Sequence, residues 1–284
     1  MKRIYTFICV FLLVGGQVNA QMLYPIVGTY RGQSAQGMII WDDAAYLFSN
    51  GGHCRVISLK SGKMEREFDL ACSQFKPHIN SVSIGAEVSE ISKNPVVYVS
   101  ETDRPHKCYV EDVHSDVPIL LQIIEAKEKG KVYSNHDWVV DRENQFLYGI
   151  NRRWNEYLDD EGNVRNIITK YRLPKLKEGK LVTLSEKDII DRFEVIFANG
   201  MQDVSISNWH MYIATGLHEM AQDKKGAKRA IVVINLKDKK IEKEIDLSFV
   251  TTNEPEGIDF WNRKCIVACG QNGGLYQVKS LLSR

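Results

Sequence analysis

The stretch Asn135-His136-Asp137-Trp138-Val139-Val140-Asp141, with Gln145-Phe146-Leu147-Tyr148-Gly149-Ile150 following after three residues, decides how the rest of the chain is read. Alone it is two short apolar strands separated by a polar turn. The chain repeats the phrase. Gln36-Gly37-Met38-Ile39-Ile40-Trp41 leads to Tyr46-Leu47-Phe48, and Asn80-Ser81-Val82-Ser83-Ile84-Gly85 leads to Val96-Val97-Tyr98-Val99. Further on, Gln202-Asp203-Val204-Ser205-Ile206 leads to Met211-Tyr212-Ile213-Ala214, and Glu256-Gly257-Ile258-Asp259-Phe260 leads to Cys265-Ile266-Val267-Ala268. Five copies of one phrase, spaced by the length of a small sheet, describe a single unit repeated along the chain.

Strand-rich units of that size predict an all-β fold, a five-bladed β-propeller of four-stranded antiparallel blades. In the first blade the strands fall near Gly37 to Trp41, Ala45 to Ser49, Cys54 to Leu59 and Met64 to Leu70, with Gly62 supplying the positive φ of the last hairpin. In the third blade the segment Arg152 to Asn166 reads as a long loop, and Lys177 to Lys180 as the turn into a last strand near Phe193 to Phe197. The fifth copy lacks a fourth strand. The segment around Val27 is expected to supply it and so close the ring, which leaves no open sheet edge.

Lys2 and Arg3, an apolar run from Ile4 to Val14 and small residues up to Ala20 have the form of a secretory signal peptide, too short to span a bilayer. The expected organisation is therefore a signal at 1–20 and a single propeller domain at 21–284, located in the periplasm or secreted and monomeric. The 37 basic and 36 acidic residues nearly cancel, so charge gives no reason to expect nucleic acid or an anionic membrane as partner. Beyond the signal the chain carries Cys54, Cys72, Cys108, Cys265 and Cys269, an odd number that leaves at least one thiol free. Cys265 and Cys269 would sit about 13 Å apart on one strand, too far to bridge, and buried core cysteines are the expectation.

The first strand of a propeller blade lines the axis, so the repeats stack into rings. One row is Gln36, Asn80, His136, Gln202 and Glu256, all polar; the next is Gly37, Ser81, Asp137, Asp203 and Gly257. Such a row either satisfies itself within a narrow channel or holds a ligand or ion at its mouth. The loops that open on the same face carry Arg152, Arg153, Trp154, Glu156 and Tyr157, a set that could stack on a sugar and hold its hydroxyls. His78 and Glu254 precede their first strands by the same offset, and a histidine with a carboxylate there could do acid-base work or hold a hydrated cation. His218-Glu219 lacks the second histidine of a zinc helix.

The repeats resemble five-bladed propellers as a class, among them arabinanase-like glycosidases and calcium-dependent apyrases. The apyrase resemblance implies an axial calcium at Gln36, Asn80, His136, Gln202 and Glu256, or at Asp137 and Asp203 one row on. Only Glu256 in the first row is a carboxylate, where calcium prefers several. Glu254-Pro255-Glu256-Gly257 is similar to blade openings in lactonase-like and phytase-like propellers. The arabinanase resemblance implies Asp137, Asp203 and Glu256 as acid and base. Two functions follow as expectations. The first is binding of a small polar ligand or glycan at Gln36, His78, Asn80, His136, Arg152, Trp154, Gln202 and Glu254. The second is hydrolysis of a glycoside or phosphoester by Asp137, Asp203 or Glu256, with or without a divalent cation such as calcium. A protein-binding scaffold is the third possibility. A raised carboxylate pKa in the channel would favour the enzyme.

Overall fold

The computed structural model describes residues 23–27, 35–103, 105–217, 228–248, 251, 253–270 and 274–282. The expected signal peptide, His218 and Glu219 lie outside them. The described chain is all-β, with five antiparallel sheets set in a ring as a five-bladed propeller. No described helix is long and apolar enough to cross a membrane.

Blade 1 consists of β2 (Met38–Trp41), β3 (Ala44–Phe48), β4 (His53–Ser58) and β5 (Met64–Asp69), ordered from the axis outward, with β1 (Leu23–Val27) preceding it in the chain. Blade 2 runs through β6 (Ile79–Val88), β7 (Pro95–Glu101), β8 (Cys108–Asp112) and β9 (Ile119–Glu128), with β10 (Lys131–Val132) beyond. Blade 3 is β11 (Asp137–Asp141), β12 (Phe146–Tyr157), β13 (Asn163–Arg172) and, after β14 (Leu181–Leu184), β15 (Ile189–Ala198). Blade 4 is β16 (Met201–Ser207), β17 (His210–Thr215), β18 (Ala230–Asn235) and β19 (Lys240–Asp246). Blade 5 is β20 (Pro255–Trp261), β21 (Lys264–Cys269) and β22 (Gly274–Leu282), and β1 pairs antiparallel with β22 as its outermost strand.

Burial explains the composition of each position. Inner and middle strands are covered on both faces by neighbouring blades, so they tolerate continuous apolar runs such as β7, buried at every residue. Outer strands have one wet face, and accordingly β5 exposes acidic residues while β19 is rich in exposed lysine and glutamate. Five apolar clusters fill the gaps between successive blades. The one between blades 5 and 1 joins Met38, Ala45 and Leu47 to Ile266, Ala268 and Leu275. At the same seam the Ile40 amide donates to Asp259 Oδ2 at 2.6 Å. Gly62 has a φ of 71° in the β4–β5 hairpin, a conformation that costs glycine nothing. Cys54, Cys72, Cys108, Cys265 and Cys269 are all buried free thiols.

Blade 3 departs from its sequence reading in two places. The segment 152–166 is mainly a tall hairpin: β12 continues to Tyr157 and β13 begins at Asn163, in register with Arg152 opposite Asn166. Lys177 to Lys180 does not form a simple turn, because the chain crosses to blade 2 and lays β14 parallel along β9, Leu181 beside Ile123 and Leu184 beside Ala126. There β14 covers an edge that would otherwise stand open.

Candidate functional site

Inner strands begin on one face of the ring, called here the leading face, and end on the trailing face. A strand alternates its side chains, so only one of the two polar rows should reach the axis. The ladders are interrupted at the strand starts in three blades, between Ile79 and Val82, between Met201 and Asp203, and between Pro255 and Gly257. Such irregularities re-aim side chains, and here consecutive residues make contacts across the ring.

Asp203 is the hub. Its Oδ2 accepts from the amides of Met38 (3.1 Å) and Ile258 (2.9 Å), and its Oδ1 accepts from Val82 (3.2 Å). One carboxyl thus ties blade 4 to blades 1, 2 and 5. The preceding glycines make room for it, since a Cβ on Gly37 would come within 2.7 Å of Val82 and one on Gly257 within 2.6 Å of Met38. Burial pushes the carboxyl well above the usual range, and the backbone amides pull the other way.

Asp137 is occupied in the same sense. Its Oδ2 sits 3.0 Å from Arg152 Nε with both side chains buried, and its Oδ1 accepts from Asn80 Nδ2 at 2.9 Å. Asn80 Nδ2 also reaches the Gln202 carbonyl at 2.7 Å, and Arg152 Nη1 reaches the Met201 carbonyl at 2.7 Å, with Nη2 donating to Thr102 Oγ1. Gln202 turns its own amide to the Gly216 carbonyl at 2.9 Å. Arg152 is therefore a buried strut between blades rather than a loop residue. Its backbone N–H donates to His136 Nδ1 at 3.1 Å, which requires a lone pair on that nitrogen and hence a neutral ring. Burial first, then the charge of Arg152, pushes His136 down to about 3. The His106 ring lies 4.6 Å away, centroid to centroid.

The remaining polar group of the row is organised differently. Glu256 is buried, accepts from Gln36 Nε2 at 2.5 Å, and is in hydrogen-bond contact with the Glu254 carboxyl, which is only half-buried. Burial and the second carboxyl push Glu256 up to about 10. Glu256 is therefore held protonated at neutral pH, because burial and the contact with a second carboxyl both disfavour its charged form. Gly270 backs the pair closely, as a Cβ there would stand 2.7 Å from Glu256 Oε1. The sequence carried a signal for this: residues two apart in an extended segment share a face, and Glu254 and Glu256 are so spaced.

His78 does not join the network. It is 45% exposed and pairs with Asp103 at 3.2 Å. The Trp154 side chain lies outside the described residues. Among the described residues no group of three or more histidines, cysteines or acids could hold a metal. The donor set fits calcium poorly, because the oxygens of Asp137 and Asp203 already face nitrogen donors.

The trailing face holds residues the sequence reading passed over. Two residues beyond Ser81, Asp203 and Gly257, the side chains of Ser83, Ser205 and Asp259 again point to the axis and line a cavity of about 470 Å³. Their alternation with the second polar row was the available signal.

No family model matches the chain, and no curated protein matches it in sequence. Among solved structures it is similar to the glutaminyl cyclase of Myxococcus xanthus, at 12% identity over 90% of this chain and 92% of that one, with a TM-score of 0.53. It also aligns with hydrazine synthase of Kuenenia stuttgartiensis, at 8% identity over 84% of this chain and 56% of that one, with a TM-score of 0.41. The first likeness supports the five-bladed fold and nothing finer.

Proposed function

We propose that the leading mouth of the channel binds a small polar molecule, with a carbohydrate as the first candidate, and that Glu254 and Glu256 move a proton on it. The observation that carries this reading is the contact between the buried Glu256 carboxyl and the half-buried Glu254 carboxyl at the start of β20, which together with burial keeps Glu256 protonated. A protonated carboxyl donates to a hydroxyl or carbonyl oxygen, and a second carboxyl beside it can accept the proton of a nucleophile. Of the three carboxylates read as acid and base, Asp137 and Asp203 have structural duties, so Glu256 alone keeps the role and Glu254 joins it. Contact between the two carboxyls is closer than the separation of about 5–5.5 Å in retaining glycosidases or about 6.5–9.5 Å in inverting ones. This favours proton transfer at a carbonyl or amide over glycoside cleavage by the pair. The name of the Myxococcus neighbour, a glutaminyl cyclase, adds glutaminyl compounds to the candidates. The signal-like composition of residues 1–20 supports a site of action outside the cytoplasm as part of this proposal.

The test is a turnover screen of the purified chain against nitrophenyl glycosides, phosphodiesters, amides and N-terminal glutamine peptides, alongside Glu254→Gln and Glu256→Gln. Turnover that both variants lose while an Asp103→Asn control keeps it supports the reading. Turnover that survives in both variants overturns it, and a sugar that raises the melting midpoint without turnover returns the protein to the binding class.

A further inference from the structure

The trailing-face cavity is separate from that mouth, because the Asp203 carboxyl and the three amides it gathers close the axis between them. Its lining includes one apolar residue from each inner strand, Ile40, Ile84, Val140, Ile206 and Phe260, which otherwise pack into the clusters between blades. The side chains that point to the axis are polar. Asp259 accepts from the Ile40 amide, from the Phe260 amide at 2.8 Å and from Ser205 Oγ at 3.1 Å, while Ser83 Oγ accepts from the Val140 amide at 3.0 Å. At the rim, on the turn between β11 and β12, stand Arg142 and Glu143.

The charges at this cavity are of both signs. Arg142 lies over the Trp41 ring at 5.4 Å and feels the charge of Asp259, but its guanidinium donates no hydrogen bond among the described residues. Among the described residues Glu143 accepts one weak bond, from the Asn208 amide at 3.3 Å. Five planar donors at the lip of a cavity suit a carboxylate, bound in the bidentate fashion arginine favours. A simple anion would meet Asp259 and Glu143 as well as Arg142, and a simple cation would meet Arg142. A molecule carrying both charges answers both sets, and any apolar body it has can meet the apolar part of the lining. A volume of about 470 Å³ lies within the range of pockets that enclose small ligands.

We propose that this cavity is a second ligand site, one that takes a small zwitterion with an apolar side chain, in the size range of a free amino acid or dipeptide. The carboxylate of the ligand pairs with Arg142, its ammonium faces Asp259 and Glu143, and its side chain packs on Ile84, Val140 and Phe260. The experiment is calorimetric titration of the full chain with L-leucine, with leucinamide, which lacks the carboxylate, and with 4-methylpentanoate, which lacks the ammonium. Leucine is expected to bind, and each truncated probe to bind at least about tenfold more weakly, the loss that one unmade charge-assisted pair implies. Arg142→Met, at an exposed turn and able to keep its place over Trp41, should weaken leucine by a similar factor with its melting midpoint unchanged. Glu143→Gln gives a second variant, free of any role in the core. Absence of leucine binding, binding of either truncated probe as tight as that of leucine, or leucine binding that Arg142→Met leaves intact would overturn the proposal. Because the Glu254/Glu256 mouth lies across the Asp203 closure, these outcomes are independent of the turnover screen.

Discussion

Replacing Glu256 by glutamine should make the protein more stable in alkaline solution, and the gain should grow with pH. In the folded chain Glu256 is held protonated up to about 10, against 4.5 for a free glutamate. Its folded pKa is raised, so the stability it lends is fully present below 4.5 and is lost as the pH rises toward 10. In that window the unfolded chain has released a proton that the folded chain retains, and each pH unit costs up to about 1.4 kcal/mol. Between pH 5 and pH 8 the accumulated loss is at most about 4 kcal/mol. Glutamine is neutral in both states and fits the contacts. Its carbonyl can accept from Gln36 Nε2 as Glu256 Oε2 does, and its amide can donate to Glu254. Urea unfolding of wild type and Glu256→Gln at pH 5, 6.5 and 8 should give similar free energies at the lowest pH and a gap of about 2–4 kcal/mol at the highest. A gap that does not change with pH, or a variant weaker than wild type at pH 8, would refute the protonated buried carboxyl and with it the basis of the proposed chemistry.

Asp203→Asn should lower stability by about 2–4 kcal/mol at neutral pH, because one amide oxygen cannot serve the amides of Met38, Val82 and Ile258 together and the new NH₂ group faces a donor. Chemical denaturation reads this directly, and a variant within 0.5 kcal/mol of wild type, roughly the scatter of a surface substitution, would remove Asp203 from its place as axial clasp. His136 predicts the acid limb. Its folded pKa of about 3 lies below the free value of 6.5, so the stability it lends is present above 6.5 and is lost as the pH falls toward 3. His136→Gln, which keeps an acceptor for the Arg152 amide, should flatten the decline in unfolding free energy between pH 6.5 and pH 4, and parallel curves for the two proteins would show that the ring is not buried neutral.

Much of the architecture was legible because a propeller repeats its own grammar. Gln36, Asn80, His136, Gln202 and Glu256 could be aligned by eye, as could the apolar row Met38, Val82, Trp138, Val204 and Ile258, since the strand period is the same in every blade. Blade 3 broke the pattern where local signals were equivocal. Arg152 to Tyr157 is polar enough to read as a loop, yet β13 pairs along it and turns Arg152 inward. Leu181 to Leu184 is too short to announce itself and becomes a strand only because β9 offers an edge.

Five-fold repetition, the apolar inner strands and the existence of polar rows at the axis were properties of the sequence alone, since periodicity is a local matter. Which polar residues spend their bonds on structure and which keep them for a ligand was decided only in three dimensions. As letters in the two polar rows, Asp137, Asp203 and Glu256 are alike, each a carboxylate near the start of an inner strand. They part company because one meets Arg152, one meets three backbone amides from other blades, and one meets another carboxyl. A carboxyl's chemistry depends on the charges and donors within a few ångströms of it, and here those neighbours lie up to 220 residues away along the chain.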